Sequence, residues 1–157
     1  MSNELNQPIA AFRLAAYPTG ELSNADLLGK WCALYFYPKD NTPGCTQESV
    51  EFQANIEAFQ TLNTTIVGVS RDSIKSHNNF ATKFELTFPL ISDAEEILCQ
   101  QFDVLKEKMN YGKKYIGIER STFLIDPQGV LRAQWRKVSV KGHVEDVLTT
   151  LSELNQA

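Results

Sequence analysis

The chain has 157 residues, 43% hydrophobic and 22% charged, with a formal net charge of -4. That length buries a core without staples, and the acidic balance argues against nucleic acid and anionic membrane surfaces as partners. No apolar run reaches the roughly 18 residues of a membrane span, and the opening Met1–Ala10 lacks the basic and apolar regions of a signal peptide. The expectation is one domain over residues 1–157, with Met1–Asn6 as a loose tail.

The first segment alternates, with Phe12, Leu14 and Ala16 set against Arg13 and Ala15; Tyr17-Pro-Thr-Gly20 turns it back through Glu21-Leu22. This predicts a hairpin. Ser23–Asp26 reads as a helix cap, ended by Gly29. Trp31–Tyr37 is apolar on both faces, the pattern of a central strand covered by helices. Cys45, Ser49, Phe52, Ile56 and Phe59 follow at i, i+4, i+7, i+11 and i+14, which predicts one helix over Cys45–Leu62.

Thr65–Ser70 is a second buried strand. Asp72–Phe84 is a helix with Ile74, Ala81 and Phe84 inward. Phe88–Ile91 is a third strand, and Ser92–Glu95 is a capping box opening a helix to about Phe102. Tyr111–Ile118 forms a small glycine-turned ribbon, Ser121–Ile125 and Val130–Trp135 a hairpin, and Val144, Val147, Leu148, Leu151 and Leu154 the stripe of a last helix. The order β-α-β-α-β-α-β-β-α predicts an α/β fold, a mixed sheet flanked by helices in the thioredoxin-like order, with an N-terminal hairpin extension.

Three cysteines, Cys32, Cys45 and Cys99, stand far apart with no C-x-x-C. An odd, dispersed set is not a disulfide framework and points to a reducing cytoplasm. His77 and His143 have no metal-ligand spacing and read as surface residues; neither metal nor cofactor is expected.

Cys45 carries the chemistry. Tyr37-Pro38 is the carboxyl end of the central strand, where active groups of open α/β sheets collect. Cys45 then falls in the first turn of the next helix, where unpaired N–H groups and the positive dipole end favour a thiolate. Pro43 and Gly44 suit the tight turn into that helix, and Thr42 can place its hydroxyl beside the sulfur.

Pro38, Thr42 and Cys45 form a P-x-x-x-T-x-x-C pattern that resembles the peroxiredoxin signature. The longer Tyr35–Glu48 string, Gly117–Gly129 and the run from Trp135 resemble the branch called PrxQ or bacterioferritin comigratory protein. The resemblance implies a thiol peroxidase, an antioxidant enzyme of cell redox homeostasis, in which the Cys45 thiolate attacks a peroxide and becomes a sulfenic acid. It implies that Thr42 hydrogen-bonds the peroxide and that Arg120 stabilises the thiolate and the departing oxygen. By the same resemblance Pro38 shields the site and Glu48 orients Arg120; Gly44 completes the substrate-binding group.

Many members of the branch carry a resolving cysteine five residues after the peroxidatic one, where this chain has Val50; others carry it in the helix after the second strand, where Asp72–Phe84 has none. Cys32, at the start of the central strand, is about 15–20 Å from the active end at about 3.3 Å per residue, beyond disulfide reach. Cys99 is late in a helix running away from Cys45. The expectation is a one-cysteine peroxidase of hydrogen peroxide and organic hydroperoxides. Thioredoxin, glutaredoxin or glutathione would recycle it, and the chain would act as a monomer or weak homodimer. The alternatives are a two-cysteine enzyme resolving through Cys99, or a thioredoxin-like binding module that has lost disulfide exchange.

Overall fold

The computed structural model describes residues 3–156. Its main sheet has seven strands in the order β2-β1-β5-β4-β3-β8-β9. These are β1 (Arg13–Tyr17), β2 (Gly20–Ser23), β3 (Trp31–Phe36), β4 (Thr64–Ser70), β5 (Leu90–Ser92), β8 (Ser121–Ile125) and β9 (Leu131–Trp135). A separate ribbon pairs β6 (Leu105–Asn110) with β7 (Lys113–Ile118). The helices are α1 (Pro43–Ala54), α2 (Ile56–Thr61), α3 (Ile74–Phe84), α4 (Ile97–Gln101) and α5 (His143–Asn155). Among the described residues no helix is long and apolar enough to cross a membrane.

β3 is buried along its whole length. It pairs parallel to β4 and antiparallel to β8, so both sides of its backbone are hydrogen-bonded and both faces are covered. Successive side chains point to opposite faces. Leu34 and Phe36 join the layer under α4 with Phe102 and Phe123. Ala33, Tyr35 and Tyr37 join the layer under α1, α2, α3 and α5, with Phe52, Phe80, Val147 and Leu151. Removing each such aromatic ring from water stabilises the fold by roughly 1.5–3 kcal/mol.

The expected mixed sheet, flanking helices and N-terminal hairpin are present. Several boundaries differ. The long helix expected over Cys45–Leu62 is two helices, broken at Asn55, whose side-chain amide donates to the Glu51 carbonyl at 2.8 Å. Such local side-chain bonding competes with the helical ladder. The inward face of α3 is His77, Phe80 and Ala81, while Ile74 is exposed. Ser92 does not cap the next helix. The buried carboxylate of Asp93 accepts from the N–H groups of Leu98 and Cys99, so α4 begins only at Ile97. Of the stretch read as a tail, Met1 and Ser2 lie outside the described residues. Asn3 and Asn6 donate backbone N–H groups to the carbonyls of Gln101 and Leu131, which ties them down.

Candidate active site

The chain leaves β3 through Tyr37 and Pro38 and enters α1 with Pro43 at its first turn and Thr42 as N-cap. Proline suits that position because its missing N–H would be unpaired there anyway. The connecting loop is tied on three sides. Tyr37 Oη donates to Asp40 Oδ1 at 2.6 Å. Ser76 Oγ donates to Asp40 Oδ2 at 2.8 Å, and His77 Nδ1 is 2.7 Å from the same oxygen. His77 Nε2 faces the Ile91 carbonyl at 2.9 Å; a carbonyl only accepts, so Nε2 carries a proton. Fully satisfied buried networks of this kind hold a backbone to one geometry.

Along α1 the buried stripe is Cys45, Glu48, Ser49 and Phe52. Ser49 Oγ is fixed by Tyr35 Oη at 2.7 Å. Cys45 is only 1% exposed. Arg120 approaches it from the link between β7 and β8, its carbonyl held by the Val138 N–H at 2.9 Å. Arg120 Nη2 donates to Cys45 Sγ at 3.5 Å, and Nη1 donates to Glu48 Oε1 at 2.8 Å. A Cβ on Gly44 would lie 3.1 Å from Nη2, so glycine is what admits the guanidinium. Thr42 Oγ1 donates to the Lys39 carbonyl at 2.8 Å, which leaves its lone pairs free to accept. Beside the guanidinium is a cleft of about 400 Å³ lined by Pro38, Lys106, Lys108, Glu119, Arg120 and Val138, among others.

The electrostatics follow from burial. Glu48 is fully buried, and loss of water pushes its carboxyl up to about 7, against the attraction of Arg120. Lys108 donates to the Ile118 carbonyl at 2.5 Å; burial first and Arg120 second hold its ammonium below the usual lysine range. Cys32 and Cys99 are inside the core. Burial pushes the Cys32 thiol up to about 12, and burial with the nearby Asp93 raises Cys99 further.

Pro38, Thr42, Gly44, Cys45, Glu48 and Arg120 are thus brought to one place, whereas Cys99 lies on α4 in the layer beneath the opposite sheet face. The histidines are a correction. Both are buried, His77 at 0% and His143 at 4% exposure, rather than on the surface. His143 opens α5 and reaches into the layer beside Glu48, with Nε2 4.0 Å from Oε2. Lys108 also escaped the sequence reading, because one lysine on an exposed ribbon carries no pattern.

The AhpC/TSA family profile matches residues 5–134. The peroxiredoxin Bcp of Bacillus subtilis is 46% identical over 156 residues, covering 99% of each chain. That of Xanthomonas campestris is 54% identical over 123 residues, 78% of this chain and 77% of its own. A mutant of Xylella fastidiosa PrxQ superposes with a TM-score of 0.91 at 43% identity, covering 98% of both chains. Sequence, fold and relatives agree that the chain belongs to the AhpC/TSA family, in the PrxQ or bacterioferritin comigratory branch of the peroxiredoxins, and is a thiol peroxidase of thioredoxin-like fold.

Proposed function

We propose that Cys45 is the peroxidatic cysteine of a one-cysteine peroxidase that acts on hydrogen peroxide and organic hydroperoxides and is recycled by an external thiol. The observation that carries this reading is the divided guanidinium of Arg120, with one nitrogen on Cys45 Sγ and the other on Glu48. Cys45 lies in the first turn of α1, so Arg120 Nη2 and the positive end of the helix dipole both face the sulfur.

The thiolate attacks the terminal peroxide oxygen. An S–O bond forms as the O–O bond breaks, sulfur loses two electrons, and the departing alkoxide or hydroxide takes a proton to leave as alcohol or water. Arg120 Nη2 neutralises charge as it passes from sulfur to the departing oxygen. Thr42 Oγ1, its own proton given to Lys39, accepts from the peroxide O–H. Pro38, on the wall of the cleft beside Arg120, shields the sulfenic acid from water. A similar structure, of the X. campestris bacterioferritin comigratory protein, concerns alkyl peroxide reduction activity, which supports organic hydroperoxides as substrates here.

The one-cysteine route is supported by position. Val50 is half exposed on α1. Mutants of two separate cysteines of X. campestris peroxiredoxin Q have been solved; the same separation counted on from Cys45 reaches Ala81 on α3. Cys99 is wholly buried, and its thiol is held protonated. Thioredoxin, glutaredoxin or glutathione would then supply the reducing thiol, in a cytoplasm that keeps all three cysteines free. Mass spectrometry after one equivalent of peroxide tests this: a sulfenic acid trapped on Cys45 is expected, and a Cys45–Cys99 disulfide would overturn it. Cys45→Ser abolishes turnover with the fold intact; retained turnover would remove Cys45 from its role.

A further inference from the structure

We propose that His143 is a positioning residue for the peroxidase reaction: it takes the second carboxyl oxygen of Glu48, so that Arg120 keeps Nη2 for Cys45. The proposal rests on the roles given above to Arg120 and Cys45.

An arginine and a carboxylate side by side ordinarily pair through two parallel hydrogen bonds. That arrangement would turn both terminal nitrogens of Arg120 to Glu48 and leave the sulfur without its donor. Here the fork is split: Nη1 is on Oε1 at 2.8 Å and Nη2 is on Sγ at 3.5 Å. Oε2 is turned away and makes no hydrogen bond, although it is fully buried. A buried oxygen left alone is costly. The polar atom it faces is Nε2 of His143, at 4.0 Å. The last torsion of a glutamate is soft, which lets Oε2 approach the imidazole.

His143 is itself held still. Nε2 is 2.7 Å from Thr122 Oγ1, and the ring is edge-on to both Phe52 and Trp135. Its backbone N–H donates to the Val140 carbonyl at 3.0 Å. The neutral ring offers Nε2 one hydrogen bond, so Nε2 meets Oε2 in exchange for the Thr122 hydroxyl, which competes for the same position. Burial holds the imidazole neutral, down to about 4, with Asp146 opposing and Arg120 assisting. Burial also raises Glu48, which Arg120 lowers and Glu51 raises. Up to about neutral pH the proton therefore resides on Glu48. A carboxylic acid protonated on Oε2 has one oxygen left for Arg120, which fixes the split of the fork.

The test compares His143→Leu and His143→Gln with the natural chain and with Arg120→Ala. The readouts are the pH profile of Cys45 alkylation by iodoacetamide and the rate of sulfenic acid formation with hydrogen peroxide. In His143→Leu the alkylation profile moves to higher pH and the peroxide rate falls about tenfold, short of the loss on removing a direct donor. In His143→Gln, whose amide can still meet Oε2, most of both is restored. A leucine variant that folds with an unmoved profile overturns the proposal, as does a folded glutamine variant as impaired as the leucine one. Should the leucine chain not fold, Thr122→Val, close to isosteric, frees Nε2 for Oε2 and keeps the profile in place or moves it to lower pH; a move to higher pH there overturns the proposal equally. If Arg120→Ala also leaves the profile unmoved, the reading of the site fails; if only the His143 variants do, this inference alone fails.

Discussion

A methyl group on Gly44 would stand 3.1 Å from Nη2 of Arg120. The glycine's backbone is not left-handed, so what requires glycine is the approach of the guanidinium to the turn that carries Cys45. Gly44→Ala leaves α1 intact, because alanine is a better helix former. It displaces Nη2 from Cys45 Sγ by a few tenths of an ångström or more. The peroxide rate constant is expected to fall roughly tenfold or more, since small misplacements at a reacting centre are expensive, with melting temperature nearly unchanged. A natural rate constant in Gly44→Ala would mean that the contact has no bearing on the reaction.

Arg120→Ala removes both bonds of the divided guanidinium. The barrier to peroxide attack rises by about 2–4 kcal/mol, as for other preorganised donors of charge stabilisation. It also strands Glu48, which then holds its proton to higher pH. Thr42→Val removes the proposed acceptor of the peroxide O–H and slows the same step with a smaller effect on Cys45 alkylation. Stopped-flow peroxide kinetics beside alkylation rates separate the two; unchanged kinetics in both variants would remove both residues from the site.

The parts of this site differ in how far the sequence exposes them, for physical reasons. Pro38, Thr42, Gly44 and Cys45 occupy one strand-to-helix turn, so local spacing places them together. β3 is legible because a doubly covered strand must be apolar throughout. Arg120 is a charge at the end of a strand, and only the resemblance to a family joins it to Cys45 across 75 positions. His143 gives no signal, because a polar residue at the first position of a helix looks solvated until the layer beneath it is known. The break at Asn55 and the late start of α4 depend on single side-chain hydrogen bonds, from Asn55 and to Asp93. Periodicity does not encode such bonds.

The buried pair Glu48 and His143 predicts opposed pH dependences of stability. Glu48 is raised from 4.5 to about 7 by burial. Between those values the folded chain holds a proton that the unfolded chain has lost, so stability is full below 4.5 and declines as pH rises towards 7. His143 is lowered from 6.5 to about 4 by burial. There the unfolded chain holds the extra proton, so stability is full above 6.5 and declines as pH falls towards 4. Each group contributes on the order of 3 kcal/mol across its window, and over the shared range the two nearly cancel. Relative to the natural chain, Glu48→Gln therefore loses stability on acidification from pH 6.5, and His143→Gln loses it as pH rises from 4.5. Urea unfolding at several pH values checks this; parallel pH curves for all three chains would show that the two groups do not titrate as described.

Recycling gives the last prediction. With valine at position 50 of α1, alanine at position 81 of α3 and Cys99 under the opposite sheet face, a sulfenic acid on Cys45 has no internal thiol within reach. On the proposed one-cysteine route it persists until an external thiol arrives. Dimedone therefore traps it at one equivalent of peroxide, and excess peroxide carries it on to sulfinic acid. Cys32→Ser and Cys99→Ser keep nearly full peroxide turnover with a small-thiol reductant. Cys32→Ser loses stability, because it places a hydroxyl in the apolar core without a prepared partner; Cys99→Ser loses less, because the Asp93 carboxylate beside it can accept from the new hydroxyl. A two-cysteine enzyme behaves in the opposite way. Cys99→Ser would then lose thioredoxin-linked turnover, and a Cys45–Cys99 disulfide would form within the turnover time. To form it, Cys99 would have to leave the layer where Phe102 and Phe123 enclose α4, unfolding that helix and exposing those rings at every cycle. Hydrogen exchange at Leu98 and Cys99, whose N–H groups are held by Asp93, reports that opening directly. Unchanged protection during steady turnover is expected, and loss of protection with a disulfide of matching rate would establish the two-cysteine route.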